Sequence, residues 1–168
     1  ERFEILNEFI FRAREFRIQN LNRKCATQED LLIKNVLEQR GGGLIPTGLL
    51  YIHLANQLDL AVYVLNDPAF HILKWVRGSK SSFIDLTQDG KILDEEELLR
   101  VMSTCGTAQL KTCDGASRRE LITFKELLVA YLHDLKQAYR RDSELDLCHA
   151  VLSMILKIEP TNLKYIGE

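Results

Sequence analysis

Hydrophobic positions follow a helical period at both ends of the chain and a strand-like pattern in the middle. Phe3, Leu6, Phe9 and Ile10 recur at helical spacing, so the first dozen residues are predicted to form an amphipathic helix. Thr27-Gln28-Glu29-Asp30 has the form of a capping box. Leu31, Leu32, Val36 and Leu37 extend it as a second helix ending at Arg40, before Gly41-Gly42-Gly43. Thr47 is predicted to cap a third helix over 48–58, with Leu50, Leu54 and Leu58 on one face.

The pattern then changes. Leu60 to Leu65, Phe70 to Val76 and Ser82 to Leu86 are short segments rich in β-branched and aromatic residues, and they read as strands. Asn66-Asp67-Pro68, Gly78-Ser79 and Gln88-Asp89-Gly90-Lys91 separate or end them as turns, so the three strands form an antiparallel meander. Helices return with Asp94 as a cap. A loop is predicted over 104–116, and Thr123 to Glu126 is a second capping box opening a helix to Arg141. A last helix carries the stripe Leu147, Val151, Leu152 and Ile155 and stops at Pro160. Helices, meander, helices is an α+β arrangement with segregated elements.

Composition narrows the function. The 168 residues carry 22 basic and 24 acidic side chains, a net charge of −2, which gives no footprint for nucleic acid or an anionic membrane. No apolar run approaches the roughly 18–20 residues that span a bilayer. No signal-peptide pattern is visible, although the chain starts at Glu1. Cys25, Cys105, Cys113 and Cys148 form no CxxC pair, and His53, His71, His133 and His149 are scattered. No metal site or cofactor is expected, and the cysteines read as reduced thiols of a cytoplasmic protein.

His71 and Asp85 form the one constellation suggesting chemistry. If the hairpin centres on Gly78 with the odd loop Arg77-Gly78-Ser79, paired residue numbers sum to 156 and His71 stands directly opposite Asp85. A carboxylate there would orient the imidazole and raise its basicity. A two-residue loop would break the pairing. The plainer reading of the same residues is a partly buried histidine satisfied by a neighbouring carboxylate. The glycine run is either a close approach of backbone to a ligand or a loop needing positive φ, and it fits neither a P-loop nor a dinucleotide-binding pattern. Thr47 reads as a cap before it reads as a nucleophile.

These segments together resemble the SirB-type transglutaminase-like core family. The resemblance rests on Asn35 to Arg40 running into the glycine turn, on Leu49-Leu50-Tyr51 with Ala55, on Pro68 to Leu73, and on Phe83-Ile84-Asp85-Leu86 followed by Gly90. Further along, Tyr131 to Lys136 and Leu156 to Pro160 are similar to the helices of the family's tetratricopeptide-type extension. The resemblance implies a transglutaminase-like (cysteine-proteinase-like) core over 1–112, made of N-terminal helices and the meander. A C-terminal helical hairpin of tetratricopeptide type over 113–168 would follow. It also implies a nucleophilic cysteine within Leu44, Ile45, Pro46 and Thr47, ahead of the histidine and the aspartate, and no cysteine is there. Thioester chemistry needs a thiolate, which leucine, isoleucine, proline and threonine do not supply. The sequence departs from the family at Leu44 (usually proline), Asp59 (usually glycine) and Leu86-Thr87 (usually Pro-Phe). The function implied is a non-catalytic module that binds a protein or peptide partner, with His71 and Asp85 as a vestigial pair. The alternative is a cysteine-type amide hydrolase or acyltransferase that recruits Cys25, Cys105 or Cys113 to His71. A third, metal-assisted hydrolysis, has too few ligands.

Overall fold

Phe3 and Leu6 bury the inner face of α1 (Arg2–Glu8), and the chain then widens into a π-helical turn over Phe9–Ala13, where Arg14 N donates to Phe9 O at 2.9 Å. The structure, a computed structural model, describes residues 2–20, 25–66, 71–78, 80–104 and 121–160. The π turn sets Phe11 and Phe16 into the core and delivers the chain to β1 (Arg17–Asn20).

The capping box at Thr27 is present: its hydroxyl accepts from Asp30 N, and the Asp30 carboxylate accepts from Thr27 N. The helix it opens is split in two, α2 (Gln28–Leu31) and α3 (Ile33–Gln39), because Leu32 turns extended with φ −67° and ψ 118°. Arg40 closes α3 in the left-handed conformation, with φ 54°.

The glycine triplet is neither a ligand loop nor a positive-φ turn. It forms β2 (Gly41–Gly43), a buried strand pairing in parallel with β1 through Arg17↔Gly41 and Ile18↔Gly42. Close packing explains the glycines. A Cβ on Gly41 would sit 2.7 Å from Arg17 O, and one on Gly42 would sit 2.6 Å from Val36 Cγ2 and 2.8 Å from Asp30 O.

Helix α4 (Leu44–Gln57) begins directly after the strand, with Gly43 as its N-cap. The predicted start at Gly48 with Thr47 as cap is therefore corrected. Pro46 sits within the first turn, where its missing N–H is tolerated. Thr47 lies inside the helix, and its hydroxyl donates back to Gly43 O at 2.9 Å.

A five-stranded antiparallel sheet follows, in the order β6-β5-β4-β3-β7. Its strands are β3 (Val62–Leu65), β4 (Ile72–Arg77), β5 (Lys80–Asp85), β6 (Lys91–Leu93) and β7 (Leu121–Ile122). The predicted meander of three strands is its centre. Val62, Val64, Leu73 and Ile84 face the main core with α1, α4 and the C-terminal helices, and Phe3 stacks on Trp75 with ring centroids 4.1 Å apart. Leu65, Ile72, Phe83 and Leu93 meet Leu98 of α5 (Glu95–Thr104) in a smaller cluster.

The last two helices, α6 (Phe124–Arg141) and α7 (Leu145–Ile158), are antiparallel neighbours joined through Ser143 at φ 62°. Leu127, Leu135, Tyr139, Val151 and Ile155 belong to the same core as the N-terminal helices. Arg141 Nη2 donates to Ala26 O, and Gln28 Nε2 donates to Asp142 Oδ2 at 2.6 Å, tying the hairpin to α2. The predicted boundary at 112/113 lies outside the described residues, as do Cys105 and Cys113. No helix among the described residues is long and apolar enough to cross a membrane.

The second capping box is present too: the Thr123 hydroxyl accepts from Glu126 N, and the Glu126 carboxylate accepts from Thr123 N at 2.8 Å. Hydrogen bonds from the Thr123 hydroxyl and backbone N–H hold the Glu126 carboxyl below its ordinary range. Thr123→Ala is expected to cost about 1 kcal/mol at pH 7. A depressed carboxyl contributes stability that is present above the unfolded value, near ~4.3, and lost as pH falls through the folded value. Thermal melts should therefore show the Thr123→Ala deficit at pH 7 and a smaller one at pH 3.

Candidate functional site

The first turn of α4 is where the resemblance expects a nucleophile, and it is buried. Leu44, Ile45, Pro46 and Thr47 are all buried. A Cβ on Gly48 would stand 3.5 Å from Leu86 Cδ1, so the start of α4 rests against the turn that follows β5. Leu86 N donates to His71 O at 3.0 Å. The α4 start, His71 and Asp85 therefore share one neighbourhood, centred on Leu86.

Within it, the strand register is not the predicted one. Arg77 pairs with Lys80, leaving two positions in the hairpin loop, and Gly78 adopts φ 61° as such a loop requires. Paired numbers sum to 157, so Asp85 stands opposite Ile72. The expected direct opposition of His71 and Asp85 is corrected by one residue: His71 stands beside Leu86. Side-chain alternation then assigns Asp85 to the side of Ile72 and Phe83, and His71 to the side of Leu73 and Ile84.

Asp85 is 1% exposed and its carboxylate is fully engaged in the turn. Oδ1 accepts from Thr87 N at 2.8 Å and from Thr87 Oγ1 at 2.6 Å, while Oδ2 accepts from Gln88 Nε2 at 2.7 Å. Asp85 thus caps the 3-10 turn Leu86–Gln88. Sequence reasoning missed Thr87 and Gln88. The spacing Asp85-Leu86-Thr87 is a signal for this kind of turn and was readable as one. His71 is 4% exposed and engaged in the fold, and its Nε2 is a buried nitrogen that makes no hydrogen bond.

A second polar chain supports the turn from below. Tyr51 is fully buried in α4, and burial pushes its phenol up from the ordinary tyrosine range. Its hydroxyl donates to Asn7 Oδ1 at 3.1 Å, Asn7 Nδ2 donates to Gly90 O at 2.7 Å, and Gly90 N donates to Asp85 O at 3.0 Å. Gly90 has φ 73°, and a Cβ there would run into Phe11 and Asn7. These contacts lock the turn between α1 and α4.

Among the described residues the cysteines are Cys25, which is exposed, and Cys148, which is half-buried in α7; neither is in the first turn of α4. No three His, Cys, Asp or Glu side chains among the described residues stand together as a metal site.

A family model described as the transglutaminase-like superfamily matches residues 1–123. The chain belongs to the transglutaminase-like superfamily. Two curated relatives are similar to it. A UPF0162 protein of Buchnera aphidicola subsp. Acyrthosiphon pisum (strain APS) is 25% identical over 138 residues, covering 80% of this chain and 49% of its own length. A UPF0162 protein of Buchnera aphidicola subsp. Schizaphis graminum (strain Sg) is 26% identical over 136 residues, covering 79% and 48%. The transglutaminase-like chain described here thus spans about half the length of the curated relatives it matches. No solved structure matches it.

Proposed function

We propose that this domain is a non-catalytic member of its superfamily, of the SirB type, acting as a protein-interaction or regulatory module in the cytoplasm. The observation carrying this reading is the first turn of α4: Leu44, Ile45, Pro46 and Thr47 hold no thiol, all four are buried, and Thr47's hydroxyl is committed to Gly43 O. A nucleophile needs an exposed, activatable atom at a helix start, and here the start is buried, with Leu86 packed close to Gly48. The role of Asp85 as a cap for Thr87 and Gln88 supports a structural reading of that carboxylate. The α6–α7 hairpin, read as a tetratricopeptide-like unit, supplies the interaction surface in this proposal. Leu145, Leu147 and Met154 leave apolar side chains exposed on α7.

Thiol labelling against pH tests the proposal. Each cysteine is expected to alkylate with the pH dependence of an ordinary thiol, slowly at pH 6, and at the same rate in wild type and in His71→Ala. A cysteine that alkylates quickly at pH 6 and slows in His71→Ala would establish a recruited nucleophile, the reading in which Cys25, Cys105 or Cys113 serves an amide hydrolase or acyltransferase.

A further inference from the structure

A cleft of about 660 Å³ lies between the π-helical turn and the segment from Gln88 to Ile92, on the β6 side of the sheet. Its walls include Asn7, Phe11, Arg17, Asp89, Lys91 and Ile92. Three observations make it a built surface. First, β6 ends the five-stranded sheet, so among the described residues no strand pairs with its outer edge. Second, Ile92 is 44% exposed at that edge, beside the Phe11 wall. Third, the guanidinium of Arg17 is held in place from one corner. Its Nη1 donates to Phe11 O at 2.8 Å and to Phe16 O at 3.0 Å, and lies 3.4 Å from Asp89 Oδ1. Among the described residues, Nε and Nη2 take no partner. The side chain remains 53% exposed.

We propose that this cleft takes an extended peptide of a partner protein, added along the edge of β6, with one glutamate or aspartate of the peptide seated on Arg17. Backbone pairing to an edge strand supplies sequence-independent affinity, and alternate side chains supply selection. The Nε–Nη2 side of an anchored guanidinium is the edge that grips a carboxylate through two parallel hydrogen bonds. Anchoring by Phe11 O and Phe16 O means that little further ordering of the Arg17 side chain is needed on binding. Phe11 and Ile92 receive an apolar side chain two positions along the peptide, on the same face as that carboxylate. The other charges of the cleft select the site of the acid. Arg12 faces Glu8, Lys91 pairs with Glu97 at 2.9 Å, and Asp89 stands on the Nη1 side of Arg17, so the acid of the peptide is assigned to the opposite, Nε–Nη2 edge of Arg17. The proposal rests on the module reading above and adds to it a second surface, separate from the α6–α7 hairpin, with its own partner class.

The test is titration of the nitrogen-15-labelled chain with a blocked peptide of sequence Thr-Glu-Thr-Val-Thr, whose Glu and Val share one face, with its Thr-Gln-Thr-Val-Thr counterpart, and with glutarate. Expected are amide shifts at Lys91, Ile92 and Leu93 with the acidic peptide, and about tenfold weaker binding of the glutamine peptide, the loss of one charge-assisted contact. Ile92→Asp, a surface change that should leave the fold intact, should weaken the acidic peptide by about tenfold or more through repulsion. Arg17→Gln should erase the difference between the two peptides; its folding is checked by the unchanged positions of the other amides. Equal affinity for the two peptides would overturn the proposal. So would shifts confined to the apolar groove at Tyr63 and Phe124, or glutarate binding as tightly as the peptide. None of these results bears on thiol reactivity, so failure here is distinguishable from failure of the non-catalytic reading.

Discussion

Gly42→Ala is expected to destabilise the domain by about 3 kcal/mol, at the upper end of the cost of overpacking a tight interior. The reason is local and rigid. The added methyl would meet Val36 Cγ2 at 2.6 Å on one side and the backbone oxygen of Asp30 at 2.8 Å on the other. Val36 is fully buried and has no room to turn aside, and Asp30 O belongs to a helix fixed by its capping box. Relief requires β2 to move away from α2 and α3, which displaces Gly43, the N-cap of α4. For a chain of this size the melting temperature should fall by about 6–12 °C. Gly78→Ala is the control. Nothing lies within 4 Å of its Cβ position, so its cost is that of φ 61° alone, about 1 kcal/mol. Equal melting of Gly42→Ala and wild type would show that the triplet is not the buried strand described.

Asp85→Ala is expected to cost about 2 kcal/mol, the upper end for loss of a capping side chain, through a different mechanism. Removing the carboxylate takes the acceptor from the Thr87 N–H, the Thr87 hydroxyl and the Gln88 amide, and because Thr87 and Gln88 are exposed, water replaces it in part. Asp85→Asn should recover about half of the loss, since an amide oxygen still accepts from Thr87 while its NH₂ faces the Gln88 amide. The check is denaturant unfolding of the three proteins. If Asp85→Ala unfolds at the same denaturant concentration as wild type, the carboxylate has no capping role.

Strong local chemistry was legible in the chain. The boxes at Thr27 and Thr123 were readable because cap and carboxylate sit three residues apart and need no tertiary partner. Leu127, Leu135 and Tyr139 declared the buried face of α6 by their period. Superfamily membership was legible from the order of the segments, and the match over residues 1–123 establishes it.

The illegible parts share a cause: they depend on what packs nearby. A strand of three glycines has no side chains and so no period. Only the approach of Val36 and Asp30 O reveals why it must be glycine. Thr47 has the right chemistry for a cap, yet Gly43 takes that place because β2 leads straight into the helix. The hairpin register turned on one residue. Gly78 fits both a two- and a three-residue loop by sequence, and Val76, Ser81 and Ser82 carry no alternation strong enough to choose. The pairing of Ile72 with Asp85 decided it. The Tyr51–Asn7–Gly90 chain joins residues far apart in sequence, and nothing local announces it.

The central claim is that no thiol in this chain forms a thioester at the α4 start. The most direct test offers the protein a glutamine-containing peptide in the presence of hydroxylamine. A catalytic thiolate would attack the glutamine carbonyl, release ammonia and form a thioester, which hydroxylamine would cleave to a peptide hydroxamate and free thiol. The account predicts no hydroxamate above the protein-free rate, with every cysteine at its unmodified mass. Hydroxamate that accumulates over many turnovers, and disappears in Cys25→Ala, Cys105→Ala, Cys113→Ala or His71→Ala, would contradict it.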